Sequence, residues 1–332
     1  MERYASLLPP GSLTQEDVEY AQEFLKGVNF ASMEEWADSH TQTFELGNGQ
    51  AYRMVVDRPS DGDPSKAVIV GGEFGNGIAA PALARARIIR EMVDPEATLV
   101  YQPNTTFGQS NANFSREERE KLRHGDITPM IGRIGLALAE FGDPDDLVFS
   151  GPSQGGTIAL GYASHPDTPA AAVAVIEAPN VSDRSIFGIA RDFVGSGGEL
   201  KDIVRENYDI PEGAELEAQF ARETLDALGV AGMLRFVAGF PRRDNMAMLG
   251  AMRIATAESQ ILDTLRKGGS VVHAYGTVNR VSPAEANAAI KSTVHEANYI
   301  GVELRESDHS VTNNYALSGA LARLALRIRP AA

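Results

Sequence analysis

The chain has 332 residues, 23% of them charged, with 45 Asp plus Glu against 30 Lys plus Arg and no cysteine. That size and composition describe a globular chain of one large domain, with ample material for a core and room for an inserted subdomain. A formal charge of −15 argues against a nucleic-acid backbone or an anionic membrane as partner, and zero cysteine excludes disulfides, thiol nucleophiles and thiolate metal sites.

The opening residues MERYASLLPPGSLTQEDVEY lack a basic stretch followed by a long apolar one, and no later apolar run reaches the ~18 residues of a membrane span. The expectation is a cytoplasmic protein. Thr14 to Phe30 reads as an amphipathic helix with Val18, Ala21, Phe24, Leu25 and Val28 on one side. Ser32 and Glu35 have capping-box spacing for a second helix that contains Trp36, so residues 1–40 form a helical extension ahead of the sheet.

Thr41 to Leu46 and Ala51 to Asp57 alternate as two antiparallel strands should, with Gly47-Asn48-Gly49 as the hairpin turn. Lys66 to Val70 is a β-branched run that ends in Gly71-Gly72-Glu73-Phe74-Gly75-Asn76-Gly77, followed by helical composition from Ala80 to Met92. The glycine spacing makes no dinucleotide fingerprint, and no Lys-Ser or Lys-Thr pair follows it. Ala97 to Gln102 is the next strand and Pro103 to Asn113 a polar loop. Ser115 and Glu118 cap a charged helix, and Ile127 to Phe141 forms an apolar-faced one. Strands that alternate with helices indicate a mostly parallel sheet covered on both faces.

Asp146 to Gly156, DLVFSGPSQGG, organises the rest. A strand that turns abruptly into a helix holds its apex residue in a strained conformation, and its neighbours pass too close for side chains. Gly151 and Gly155 supply that room, Ser153 projects its hydroxyl, and the N–H of Gln154 can face an oxyanion. Thr157 to His165 continues as a helix.

Ala170 to Ile176 is a continuous apolar run, as a buried central strand should be, and ends in Glu177-Ala178-Pro179-Asn180. Ligands bind at this end of strands in open α/β sheets. From Val181 to about Ala257 the alternation stops. The residues read as helical and acidic, and Phe187, Phe193, Phe236, Phe240, Met246 and Met248 either pack together or line an apolar pocket. Ser259 to Lys267 is a helix and Ser270 to Tyr275 a strand, followed by Gly276-Thr277-Val278-Asn279-Arg280-Val281. Ser282, Pro283 and Glu285 open another helix as cap, first-turn proline and capping-box acid. Tyr299 to Leu304 is the last strand, and a C-terminal helix runs from about Tyr315 to Ile328.

The elbow, the glycine-rich loop, the insertion after the elbow and a histidine after the last strand resemble the α/β-hydrolase family over roughly residues 41–330, most specifically at Gly151-Pro152-Ser153-Gln154-Gly155. The resemblance implies a core of residues 41–180 and 258–332 with a helical cap at 181–257. It also implies a catalytic triad in the order Ser, acid, His. Of the six histidines, His40 and His124 precede Ser153, His165 ends the helix behind it, His273 lies inside a strand and His295 lies before the last strand; His309 fits. The second oxyanion donor would be the N–H of Glu73 or Phe74.

The acid departs from the family's pattern. Where an Asp is usual, GTVNRV places Asn279, and an amide can orient an imidazole but cannot offset the imidazolium charge. Some members, haloalkane dehalogenases and certain lipases among them, carry the carboxylate after the strand that follows the elbow, and VAVIEAPN puts Glu177 there. The triad read from the sequence is Ser153, His309 and Glu177, with Asn279 as the alternative third member. Asp308 is a weaker candidate because adjacent side chains diverge.

The implied activity is a serine hydrolase that cleaves a small-molecule carboxylic ester with an apolar acyl or alcohol group. Serine at the apex argues against dehalogenase or epoxide-hydrolase chemistry, which needs a carboxylate there. Thioester, lactone and amide cleavage and acyl transfer stay open. No cofactor, metal, nucleic acid or membrane span is expected, and a homo-oligomer is compatible with the sequence. Asn279 motivates a second reading, a hydrolase-fold protein that acts as a binding or structural subunit.

Overall fold

The computed structural model describes residues 2–27, 30–46, 50–72, 80–103, 114–185, 188–189, 191–192 and 243–331. Eight strands form one sheet: β1 (Thr41–Leu46), β2 (Gln50–Asp57), β3 (Asp63–Gly71), β4 (Ala97–Gln102), β5 (Asp146–Pro152), β6 (Ala171–Ile176), β7 (Ser270–Gly276) and β8 (Tyr299–Leu304). Their order across the sheet is β1-β2-β4-β3-β5-β6-β7-β8. β2 runs antiparallel to both its neighbours, and every other pair is parallel.

The apolar runs of the sequence become strands buried on both faces, and the period of two divides each run between two cores. Leu147 and Phe149 of β5, with Val173 and Val175 of β6, join one core; Val148, Ala172, Ala174 and Ile176 join the other. The first core is covered by α5 (Arg116–Arg123), α6 (Thr128–Glu140), α7 (Gln154–Ser164), α8 (Arg243–Met252), α9 (Ala257–Arg266) and α10 (Ala284–Thr293). On the second lie α1 (Glu2–Ala5), α2 (Gln15–Lys26), α3 (Phe30–His40), α4 (Ala80–Val93) and α11 (Tyr315–Arg327). The N-terminal helices are anchored where Arg323 of α11 grips Asp17 of α2 with two hydrogen bonds, at 2.8 and 2.7 Å.

Two local expectations are corrected. Ser32 lies inside α3, which starts at Phe30 and buries Met33 and Ala37. Packing of that face, worth more than a cap, decides where the helix begins. Ser282 does not cap α10: Pro283 holds the cap position without a side-chain bond, and the Ser282 hydroxyl donates to the Ala178 carbonyl at 2.8 Å. By contrast, Ser115 and Glu118 form the expected reciprocal capping box on α5.

The hairpin Gly47-Asn48-Gly49, the oxyanion candidates Glu73 and Phe74, and Phe187, Phe193, Phe236 and Phe240 lie outside the described residues. Within 181–257, α8 buries Ala247, Met248 and Leu249 in the first core. It is tied to α5 and to the segment before it by Asp244, which accepts from Arg119 Nη1 at 3.1 Å and from the Phe114 N–H at 3.3 Å. Among the described residues no helix is long and apolar enough to cross a membrane.

Candidate active site

The parallel strands deliver their carboxyl ends to one edge of the sheet, and the candidate residues follow β5, β6, β7 and β8 in turn. Ser153 follows β5 with φ +51° and ψ −122°, a conformation L residues rarely adopt. Its N–H donates to the Ile176 carbonyl at 2.8 Å, while Gly156 and Thr157 donate to its carbonyl. The turn therefore starts a helix at once. A Cβ on Gly151 would lie 2.3 Å from the Gly155 carbonyl carbon, so the tight bend requires glycine there. The Ser153 hydroxyl is buried and makes no hydrogen bond among the described residues. Gln154 is the first residue of α7, and its N–H is one of the amides the helix does not use internally.

Glu177 follows β6, also at positive φ (+60°). Its N–H donates to the Ala274 carbonyl at 2.9 Å, and its side chain is fully buried. One carboxyl oxygen accepts the Gly276 N–H and the other accepts from Asn279 Nδ2. Burial pushes this carboxyl well above the usual carboxylate range, the Gly276 N–H pulls it down, and Asp308 pushes it further up. Two strained non-glycine residues at the ends of adjacent strands mark this edge as one the surrounding structure over-determines.

Asn279 sits in the turn after β7. Its Oδ1 accepts the N–H of Val281 at 2.8 Å and of Ser282 at 3.4 Å, and its Nδ2 lies 3.3 Å from His309 Nδ1. The two candidates for the third position are thus both present. Asn279 stands between Glu177 and His309, and the three side chains form one buried row.

His309 opens a short 3-10 helix, His309–Asn313, after β8. Arg85, buried in α4, donates to the Thr312 carbonyl at 3.0 Å, and the Thr312 hydroxyl donates back to the His309 carbonyl at 2.8 Å. The turns after β7 and β8 are stitched together: Val278 N–H donates to the Ser307 carbonyl at 3.2 Å and Glu306 N–H to Thr277 Oγ1 at 2.8 Å. Gly276 makes that closeness feasible, since a Cβ there would lie 2.1 Å from the Ser307 carbonyl oxygen and 2.8 Å from Glu177 Oε1.

Sequence reasoning missed Asn180. Its side chain accepts from Thr157 Oγ1 at 3.0 Å and donates to Thr256 Oγ1 at 2.9 Å and Gln260 Oε1 at 3.0 Å, and its carbonyl accepts the N–H of Thr256 and Ala257. It joins the elbow helix α7 to α9. Nothing local distinguishes an asparagine with partners so distant in the chain.

Asn279 also lies in the wall of a pocket of about 470 Å³, with Thr277, Val278, Arg280, Arg191 and Asp192. Among the described residues no three His, Cys, Asp or Glu side chains cluster as ligands of a metal ion would.

No family model matches the chain, and no curated protein matches it. Solved structures do. It is similar to MGS-M2, an alpha/beta hydrolase enzyme from a Medee basin deep-sea metagenome library, at TM-score 0.54 and 15% identity over 86% of this chain and 96% of that one. A hydrolase from Pseudomonas aeruginosa PA01 matches at TM-score 0.53 and 11% identity, over 86% and 98%. A thermophilic esterase from Thermogutta terrifontis matches at TM-score 0.51 and 14% identity, over 87% and 99%. At these identities the likeness is one of fold.

Proposed function

We propose that this chain, which has the α/β-hydrolase fold, is a serine hydrolase that cleaves a carboxylic ester with an apolar acyl or alcohol group through an acyl-enzyme. The observation that carries the reading is Ser153 at positive φ on a glycine-flanked strand-to-helix bend, at the same sheet edge as the row Glu177, Asn279 and His309.

In this reading His309 Nε2 takes the proton of the Ser153 hydroxyl as the oxygen attacks the ester carbonyl. The Gln154 N–H steadies the tetrahedral oxyanion, a contribution of ~3 kcal/mol per donor in comparable sites. The alcohol leaves with the proton from His309. Water then attacks the acyl-enzyme, and the acid is released as Ser153 regains its hydrogen. Accepting that first proton requires an unprotonated Nε2.

The test is labelling with a fluorophosphonate probe, together with hydrolysis of a p-nitrophenyl ester series by wild type, Ser153→Ala and Glu177→Gln. Labelling of the wild type and none of Ser153→Ala is the expected result. A wild type that neither labels nor turns over any ester would favour the second reading, a binding or structural subunit. The amide in the position where a carboxylate is usual supports that reading.

A further inference from the structure

We propose that Asn279 is a positioning residue that makes His309 Nδ1 a hydrogen-bond acceptor and keeps the ring proton on Nε2, the tautomer that cannot receive the Ser153 proton. The inference rests on the serine-hydrolase reading for its consequence, though not for its geometry.

The two ends of an amide are unlike, one an acceptor and the other a donor. Asn279 Oδ1 is occupied by the N–H groups of Val281 and Ser282, at 2.8 and 3.4 Å. Turned over, the amide would set its own N–H against those two donors, so the orientation is fixed by the backbone. Nδ2 then faces two groups, Glu177 Oε2 and, at 3.3 Å, His309 Nδ1. It carries two hydrogens, one for each. A neutral imidazole has one donor and one acceptor nitrogen, so an Nδ1 that accepts leaves the proton on Nε2.

A carboxylate in the same place would act in the opposite sense. An aspartate introduced at 279 would keep the Val281 and Ser282 N–H bonds on one oxygen. Its other oxygen would accept from His309 Nδ1–H and from a protonated Glu177. Every donor around the position would be used, and Nε2 would be left with the lone pair that general-base catalysis needs. The wild-type chain is therefore held in a slow state by one amide, and the step that relieves it is transfer of the ring proton from Nε2 to Nδ1.

The experiment uses full-length protein with ¹⁵N-labelled histidine and long-range ¹H–¹⁵N correlation of the rings, with His309→Gln used to assign the resonance. Wild type should show an unprotonated Nδ1 and a protonated Nε2 for neutral His309. Asn279→Asp should reverse them and raise the fluorophosphonate labelling rate by ~10²-fold or more, because the opposite exchange in a serine-protease triad costs ~10⁴. A wild-type His309 with its proton on Nδ1 overturns the proposal, as does a folded Asn279→Asp whose tautomer is unchanged. If Asn279→Asp fails to fold, the wild-type spectrum alone decides. Reversed tautomers with no labelling of either protein would sink the hydrolase reading and leave the assignment of Asn279 standing.

Discussion

The backbones of Gly71 and Gly155 touch: a Cβ built on Gly155 would lie 2.4 Å from the Gly71 carbonyl oxygen, and one on Gly71 would lie 2.7 Å from the Gly155 Cα. The end of β3 is thereby pressed against the first turn of the elbow helix. This contact places the end of β3 beside the turn that carries Ser153.

Gly155→Ala should therefore force β3 and α7 apart. Overpacking of this kind costs ~1–3 kcal/mol, and the displaced elbow should lose most of its fluorophosphonate labelling. Thermal melts and labelling of the purified variant check this; wild-type values in both would show that the contact does not constrain the elbow.

Glu177 carries a pH signature. Its folded carboxyl is held well above the usual range, chiefly by burial, whereas in the unfolded chain it titrates near ~4.3. Between those two values the unfolded state has lost a proton that the folded state keeps, so stability falls as pH rises, by up to ~1.4 kcal/mol per pH unit. Glu177→Gln removes the titrating group. Urea denaturation from pH 4 to 9 should show the wild type losing ground to Glu177→Gln as pH increases, and parallel profiles would refute the assignment.

His273 has the opposite sign. It is fully buried in β7, and burial lowers its pKa to about 4, with Asn287 working against the shift. The stability it confers is complete above the unfolded value near 6.5 and disappears as pH falls toward 4, a loss of ~3 kcal/mol. His273→Gln should flatten the acid side of the stability profile over that interval. An unchanged acid limb would place the acid sensitivity elsewhere.

Asn180 should behave as a brace. Asn180→Ala leaves Thr157 Oγ1, Thr256 Oγ1 and Gln260 Oε1 without their buried partner, at ~2–3 kcal/mol in total. Thr157→Val should cost ~1 kcal/mol alone and less in the Asn180→Ala background, because the two share one hydrogen bond. Strict additivity in that double-mutant cycle would count against the brace.

Much of this architecture is legible in residue order because its causes are local. The seven-residue apolar run at β6 and the shorter ones at β5 and β7 read as strands buried on both faces. Gly151, Ser153 and Gly155 read as an elbow because a bend of that sharpness needs two residues without side chains. His309 could be selected by its place after the final strand. The acid position was harder. Residue order presented Glu177 and Asn279 as rival third members, whereas the fold puts both in one row with Asn279 next to the imidazole.

Residue order alone carries periodicity, punctuation and the succession of elements, and these suffice for the sheet and the bend and for naming Ser153 and His309 as candidates. Which end of the Asn279 amide faces His309, why position 276 must be glycine and what Asn180 holds together were decided only by the tertiary structure. The cause is range: Asn279 and Glu177 are 102 residues apart in the chain, and a hydrogen bond of fixed polarity between them exists only once the neighbouring strands β6 and β7 have brought their ends to one edge.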